Sequence, residues 1–180
     1  MKEHFVITVG REYGSGGREI AKLVAQKLNV PFYDKELLTL AAQKSGICQE
    51  IFEHNDEKTT VSDMLPVTAG TGFGAGVGLG LQMPMNQRVF LAQFEVITNL
   101  AKEQSCVIVG RCADYVLRDM DHVTHIFLYA SLEKRVERIM RLEHVDADKA
   151  RELIRKTDKQ RKSYYNFFAD GNWGVRSNYD

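Results

Sequence analysis

The chain has 180 residues with 24 basic and 24 acidic side chains, and 44% of its residues are hydrophobic. This size and composition are those of one globular domain with a good core, and they exclude a disordered or fibrous protein. The balanced charge argues against a surface coated with basic residues, so nucleic acid is not an expected partner. No apolar run reaches the roughly 20 residues that span a bilayer, so no membrane association is expected either.

The cysteines and histidines show no pattern that predicts a disulfide framework or a metal site. Cys48, Cys106 and Cys112 are an odd number of cysteines without CxxC spacing, and the five histidines lack HExxH spacing. We therefore expect no protein-bound metal cluster and a reducing, cytoplasmic location. The first eleven residues lack the apolar region and cleavage site of a signal peptide, which agrees with that location.

Strands and helices alternate along the chain. Short apolar runs predict strands, and apolar residues at helical spacing predict helices. The first half is predicted as a strand over 5–9, a helix after the loop 10–18, a strand over 30–33 and two helices within 35–58 that break near Gly46. A poorly structured stretch follows over 59–85. The second half is predicted as a helix over 86–104, strands over 106–110 and 125–130, and two helices that are capped by Ser131 and Asp146 and end near 143 and 165. The strands are continuously apolar, which predicts an α/β fold with a doubly wound parallel sheet.

The loop after the first strand predicts a phosphate site. It reads GREYGSGGR, and its place between a strand and a helix lets successive backbone N–H groups converge on an anion. The flanking side chains of Arg11 and Arg18 favour a phosphate over a turn that uses glycine only for its conformation. The candidate phosphate-binding residues are Gly14, Ser15, Gly16, Gly17 and Arg18.

This loop departs from both common glycine fingerprints. The dinucleotide pattern G-x-G-x-x-G fails because Glu19 stands in place of the third glycine. Of the P-loop pattern G-x-x-x-x-G-K-[ST] only the central GSG matches, with Gly17 in place of the lysine and Arg18 in place of the hydroxyl residue. Arg18 can supply the missing positive charge to the phosphates, whereas the nearby hydroxyl is that of Ser15.

Three separated segments make the sequence similar to the cytidylate kinase-like family. They are VITVGREYGSGGREIAKLVAQKLNVPFYDKELL, CVIVGRCADYVL and HIFLYASLEKRVERI. The family comprises relatives of bacterial cytidylate kinase within the nucleoside monophosphate kinases. The resemblance implies a P-loop nucleoside-triphosphate-hydrolase fold with a helical acceptor-binding insert and a helical lid. It also implies phosphoryl transfer from ATP, with Mg²⁺, to a nucleoside monophosphate, typically CMP.

The resemblance further implies an acceptor site after the strand over 106–110. Cytidylate kinases carry Gly-Arg-Asp there, and the arginine meets the acceptor nucleotide. Arg111 matches this arginine, whereas the aspartate stands three residues later, at Asp114. A surface salt bridge is the alternative for Arg111. Asp34 also ends a strand, and ligands bind at such strand ends in open α/β sheets. It either orients the acceptor or a magnesium-bound water, or it caps the next helix.

A basic segment follows the last predicted strand. Residues 134–162 carry a net charge of +5 and the rest of the chain −5. We interpret 134–165 as a lid, since preorganised cations stabilise a transferring phosphoryl group. The Asp158-x-x-Arg161 step resembles the D-x-x-R of the cytidylate kinase lid, and Arg155 is the nearest further arginine. The candidate catalytic residues are thus Arg18, Arg155 and Arg161. The alternatives are a solvated helix pair and a nucleic-acid patch, the latter disfavoured because no aromatic residues are interleaved with the charges.

We expect one kinase-like domain over 1–180, with the acceptor-binding insert at 35–90. Within the insert, 69–81 alternates glycine with apolar residues, which predicts either an irregular loop near the acceptor or an apolar contact surface of a homo-oligomer. The family usually continues beyond 177–180 into another strand and a final helix, so we expect these to be missing from this sequence.

Three functions remain open at this point. The leading hypothesis is ATP- and Mg²⁺-dependent conversion of CMP to CDP. The first alternative is a regulatory protein that binds nucleotide without catalysis, which the replaced P-loop lysine and hydroxyl residue favour. The second is a kinase for another small acceptor that keeps the fold without the CMP pocket.

Overall fold

A four-stranded parallel sheet forms the centre of the computed structural model, which describes residues 4–57, 83–169 and 171–180. The spatial order of the strands is β2-β3-β1-β4, and every pairing is parallel, as the continuous apolar runs predict. The strands are β1 (Val6–Arg11), β2 (Phe32–Tyr33), β3 (Cys106–Val109) and β4 (Val123–Leu128).

Seven α-helices lie within the described ranges. They are α1 (Gly17–Leu28), α2 (Glu36–Ser45), α3 (Gln49–Asn55), α4 (Met85–Glu103), α5 (Ala113–Val116), α6 (Leu132–Glu143) and α7 (Ala147–Phe168). A short 3₁₀ turn, Arg176–Asn178, follows α7.

Helices cover the sheet on both faces. On one face α1 packs closely because the residues that it buries against β1 and β3 include two alanines, Ala21 and Ala25. On the other face Leu37 of α2, Phe52 of α3 and Ile97 of α4 are fully buried in one cluster. Burial of a side chain of this size contributes roughly 2–3 kcal/mol. The doubly wound α/β architecture predicted from the sequence is therefore confirmed.

The two predicted caps on the basic helices are confirmed. The Ser131 hydroxyl accepts a hydrogen bond from the Lys134 amide at the start of α6. The Asp146 carboxylate accepts one from the Lys149 amide, 2.8 Å away, at the start of α7. Each cap satisfies one amide that the helix itself leaves without a partner, and this local requirement explains why the sequence pattern locates both helix starts.

The observed strands are shifted from the predicted ones. β1 continues to Arg11 because Gly10 and Arg11 keep their pairing with Phe127 and Leu128. β4 was predicted over 125–130, but it covers Val123–Leu128 and ends where its partner strand ends. The helix α5, directly after Arg111, was not predicted.

One sequence prediction concerns residues that the structure does not describe. The glycine-rich segment 69–81 lies outside the described residues, so its predicted loop remains a prediction.

Near the end of the chain, the Asp180 amide donates to the His125 carbonyl of β4 at 2.9 Å. Over the described ranges, no helix combines the length and the apolar character that a membrane span requires.

Candidate functional site

The glycine loop joins β1 to the N-terminus of α1. Gly14 and Gly16 have φ values of 81° and 85°, a left-handed conformation that favours glycine. The Ser15 hydroxyl donates to the Glu12 carbonyl at 2.9 Å and accepts from the Gly17 amide at 3.3 Å. This serine therefore shapes the loop, and its hydroxyl is already engaged with the backbone. The N-terminus of α1 presents a positive dipole end that suits an anion.

A cavity of about 570 Å³ lies beside this helix N-terminus. Gly14, Gly16 and Gly17 of the loop border it, together with Asp34 and Arg161. The cavity lies where β1, β2 and β3 end, which is the edge at which ligands bind in open α/β sheets. Its volume falls within the range of small-molecule sites.

Side chains of α6 and α7 bind the backbone of the glycine loop. The Asp158 carboxylate accepts a hydrogen bond from the Tyr13 amide at 2.8 Å and pairs with the Arg135 guanidinium. Arg135 also donates to the Tyr13 carbonyl at 2.8 Å and contacts Glu12 at 3.1 Å. The side chain of Arg135 is 8% exposed, so these contacts are shielded from water. Asp158, predicted in the lid, thus fixes the backbone of the glycine loop.

Arg111 is buried among carboxylates. Its guanidinium donates to both oxygens of Asp56, at 3.0 and 2.8 Å, and to Asp34 and the Val109 carbonyl. Burial alone would lower the pKa of Arg111, but Asp56, Glu57 and Asp34 raise it well above its ordinary value. Arg111 is therefore charged and almost fully engaged, and its side chain fixes the two aspartates.

The two aspartates respond differently to their surroundings. Burial opposes ionisation of Asp34, but Arg111 and Arg18 outweigh it and lower the pKa of Asp34. In Asp56 burial dominates and the neighbouring Glu57 adds repulsion, so the pKa of Asp56 is raised despite Arg111. The lowered pKa favours the anionic form of Asp34, which borders the cavity.

Glu57 was not singled out in the sequence, yet it joins three arginines. Its carboxylate accepts hydrogen bonds from Arg11 at 2.5 and 3.1 Å and from Arg161 Nε at 3.1 Å. The backbone amide of Arg111 lies 3.4 Å from the same carboxylate. Burial would raise the pKa of Glu57, but Arg11, Arg161 and Arg111 lower it well below its ordinary range. The predicted lid residue Arg161 therefore reaches the cavity, with Glu57 as its partner.

Arg18 is the predicted cation that remains largely accessible. Its Nε lies 2.5 Å from Asp34 Oδ2, and its side chain is 61% exposed. It borders the cavity at the first turn of α1. An exposed guanidinium exchanges partners at small cost, so Arg18 can meet an incoming phosphate.

Two predicted site residues are not brought to this cavity. Asp114 accepts a hydrogen bond from the Tyr165 hydroxyl at 2.9 Å, and it lines a small neighbouring pocket that Arg111 and Arg161 also border. Arg155 is exposed on α7. The packed face of α7 carries Ile154 and Arg161, and the neighbouring position 155 is rotated by about 100° away from Ile154. Neither residue lines the cavity beside the glycine loop, and the predicted roles of both stay predictions.

Arg138 is a cavity residue that the sequence interpretation did not select. A Cβ atom on Gly16 would lie 2.9 Å from its Nη2, so the guanidinium rests directly on the glycine loop. It also pairs with Glu19 at 2.5 Å. Arg135, Glu12 and Asp56 were missed as well. The charge run 134–162 indicated a basic helix pair, but nothing in it separates the arginines that face the loop from the solvated ones.

The donor set decides how the implied Mg²⁺ could be held. Within the described ranges, no group of three metal-ligating side chains occurs. Asp34, Asp56 and Glu57 all accept hydrogen bonds from arginines. The site thus fits Mg²⁺ only as an ion carried largely by nucleotide phosphates and water, a mode that is common for Mg²⁺ in kinases.

Comparisons with known proteins agree with this geometry. A family model described as the cytidylate kinase-like family matches residues 6–180. An uncharacterized protein from Eubacterium ventriosum ATCC 27560 has a similar structure, with 29% identity and a TM-score of 0.69 over 98% of this chain and 85% of that chain. Shikimate kinase from Bacteroides thetaiotaomicron has 18% identity and a TM-score of 0.50 over 97% of this chain and 90% of that chain, which shows the fold alone. The search of curated proteins found no match.

The parallel sheet and the cavity at its strand ends define a class of doubly wound α/β proteins with a ligand site at that edge. Within that class, the chain belongs to the cytidylate kinase-like family, as its sequence resemblance implied.

Proposed function

We propose that this protein transfers the γ-phosphoryl group of ATP to a nucleoside monophosphate, with CMP as the first candidate acceptor. One observation carries the proposal: the N-terminus of α1 and the guanidinium groups of Arg18, Arg138 and Arg161 converge on a single cavity. Phosphoryl transfer asks for positioning and for stabilisation of charge on the phosphoryl oxygens, and a convergent set of fixed cations supplies both.

Each wall of the cavity has a distinct task in this proposal. The loop amides near Gly16 and the side chain of Arg18 bind the triphosphate. Asp34 and Arg111 form the acceptor side. Arg161, held by α7, neutralises charge on the group in transit. Mg²⁺, bound through the phosphates, supplies further charge neutralisation.

The proposal is tested by a kinase assay across a panel of nucleoside monophosphates, with ATP and Mg²⁺. We expect ADP formation that depends on the acceptor, with CMP preferred. Arg161→Ala should lower kcat/KM by roughly a hundredfold or more, because it removes a preorganised cation from the cavity. Arg151→Ala is the matched control, since Arg151 lies on the same helix, is exposed and pairs with Asp148. Equal activity of the two variants would contradict the role of Arg161.

A regulatory nucleotide-binding protein is the second candidate, and one observation favours it. A Cβ atom on Gly17 would lie 2.6 Å from Arg11 Cβ, so the structure leaves no room for the P-loop lysine at this position. Calorimetry separates the two candidates. The regulator binds ATP or CMP but releases no ADP, whereas Arg18→Ala weakens binding in both cases. Turnover of a non-nucleotide acceptor would instead support a kinase for another small molecule.

A further inference from the structure

The carboxylate of Glu57 lies in a place built for an oxyanion. Arg11 donates to both of its oxygens, and Arg161 donates to one of them. Gly110 has a φ of 72°, and a Cβ atom there would overlap Glu57 Oε1. A glycine at this position therefore allows the anion to approach the main chain at Arg111, whose amide points at the same oxygen. Paired guanidinium forks and a backbone amide are typical of phosphate recognition.

The arginines cannot be left without an anion. The side chains of Arg11 and Arg161 are only 10% and 14% exposed. Burial and the nearby charge of Arg11 lower the pKa of Arg161, whereas Glu57 opposes this effect. If Glu57 left without replacement, two buried like charges would face each other, which is strongly unfavourable. Some anion must therefore occupy this place in every state of the protein.

The place that the Glu57 carboxylate fills is part of the cavity and not of the apolar core. Arg11, Glu57 and Arg161 all border the 570 Å³ cavity next to the glycine loop. Glu57 follows the last residues of α3 and holds a left-handed φ of 50°, which is unfavourable for a residue other than glycine, asparagine or aspartate. The side chain of Arg111 would stay with Asp34 and Asp56, so the cavity wall would survive the exchange.

We propose that Arg11, Arg161 and the backbone amide of Arg111 form the subsite for the acceptor's phosphate monoester, and that Glu57 occupies this subsite until the phosphate displaces it. The inference rests on the proposed function, because it gives the acceptor phosphate its place. A phosphate monoester carries up to two charges and three accepting oxygens, so it replaces one carboxylate with a stronger partner for the same donors. In this arrangement Arg111 is a positioning residue, since its guanidinium acts through Asp34 and Asp56.

Calorimetry with CMP and with inorganic phosphate tests the exchange. Glu57→Gln keeps the shape of the side chain but removes the competing charge, so we expect both probes to bind about tenfold more tightly than to the wild type. Glu50→Gln is the matched control, because Glu50 lies on the neighbouring helix α3, is exposed and carries the same charge change. Unchanged or weaker binding to Glu57→Gln would overturn the proposal.

Hydrogen exchange on the wild-type protein provides a measurement that does not depend on folding of the variant. If phosphate or CMP displaces Glu57, amide exchange over 49–57 should speed up when the probe is bound, because the turn after α3 keeps the contact of Asp56 with Arg111 but loses the contacts of Glu57 with Arg11 and Arg161. Slower or unchanged exchange there means that the ligand binds beside Glu57, which also overturns the proposal.

The two proposals fail in different ways. Tighter phosphate binding to Glu57→Gln without any ADP formation would support the phosphate subsite and contradict the kinase function. ADP formation by the wild type, together with unchanged phosphate binding to Glu57→Gln, would support the kinase function and contradict the subsite.

Discussion

At the scale of single residues, Arg138 is a cation that lies against the glycine loop. Gly17 stands where the P-loop pattern has lysine, and the backbone of Gly16 is covered by the guanidinium of Arg138. Arg138 comes from α6 and is tethered by Glu19. Its buried Nε finds no hydrogen-bond partner among the described residues. A charged donor without an acceptor beside a phosphate-type loop is a natural contact for an incoming anion.

We predict that Arg138→Ala weakens ATP binding by roughly tenfold, because it removes one charge-assisted contact to the phosphates. Calorimetry at low and high salt measures this, and the variant should show a weaker dependence of affinity on salt. Arg141→Ala is the control, since Arg141 lies on the same helix and is exposed. If both variants bind ATP alike, Arg138 serves only to cover the loop.

At the scale of elements, α6 and α7 act on the loop through its backbone. Asp158 of α7 and Arg135 of α6 together hold the amide and the carbonyl of Tyr13. The two helices therefore fix the loop conformation from outside the sheet. The D-x-x-R step consequently has two separate tasks, since Asp158 holds the loop while Arg161 reaches the cavity.

Asp158→Asn should lower the free energy of unfolding by about 2 kcal/mol, because it leaves the shielded Arg135 without its ionic partner. It should also weaken ATP binding, since the loop loses an anchor. Urea denaturation and calorimetry measure the two effects. Asp148→Asn is the matched control, because the side chain of Asp148 is 97% exposed on the same helix. A variant as stable as this control would show that the Tyr13 contacts are enough to hold the loop.

The elements could be predicted largely because their signals are local. Ser131 and Asp146 mark helix starts through their own side chains, and the apolar run over 106–109 marks a buried strand. The site was only partly predictable, because its ion pairs join distant parts of the chain. Nothing near Glu57 in the sequence points to Arg11. Arg155 was predicted as the arginine nearest to the Asp158-x-x-Arg161 step, although the apolar residues of α7 determine which of its faces packs.

At the scale of the whole molecule, the buried carboxylates determine the response to acid. The pKa of Glu57 in the folded protein lies below its ordinary value of 4.5, so the folded state binds fewer protons there than the unfolded chain. The stability that Glu57 contributes is therefore present above pH 4.5 and is lost as the pH falls through its folded pKa. Asp34 acts in the same sense, whereas the raised pKa of Asp56 opposes it.

Glu57→Gln isolates the contribution of this carboxylate. We expect the variant to be less stable than the wild type near neutral pH and the difference between them to shrink as the pH falls from about 5 to about 3. Urea denaturation across this range measures it, with Glu50→Gln as the reference. A stability difference that is independent of pH would contradict the lowered pKa.

The hydrogen bonds of Arg161 also bear on how the chain folds. This side chain binds the Arg11 carbonyl across 150 positions of sequence and Glu57 across 104. The chain segments between these residues must close into loops before either contact forms. Contacts between residues so far apart in the sequence tend to form late in folding. The proposed binding of a phosphate beside Arg161 should consequently be among the last properties to return on refolding, after most of the helical signal has recovered.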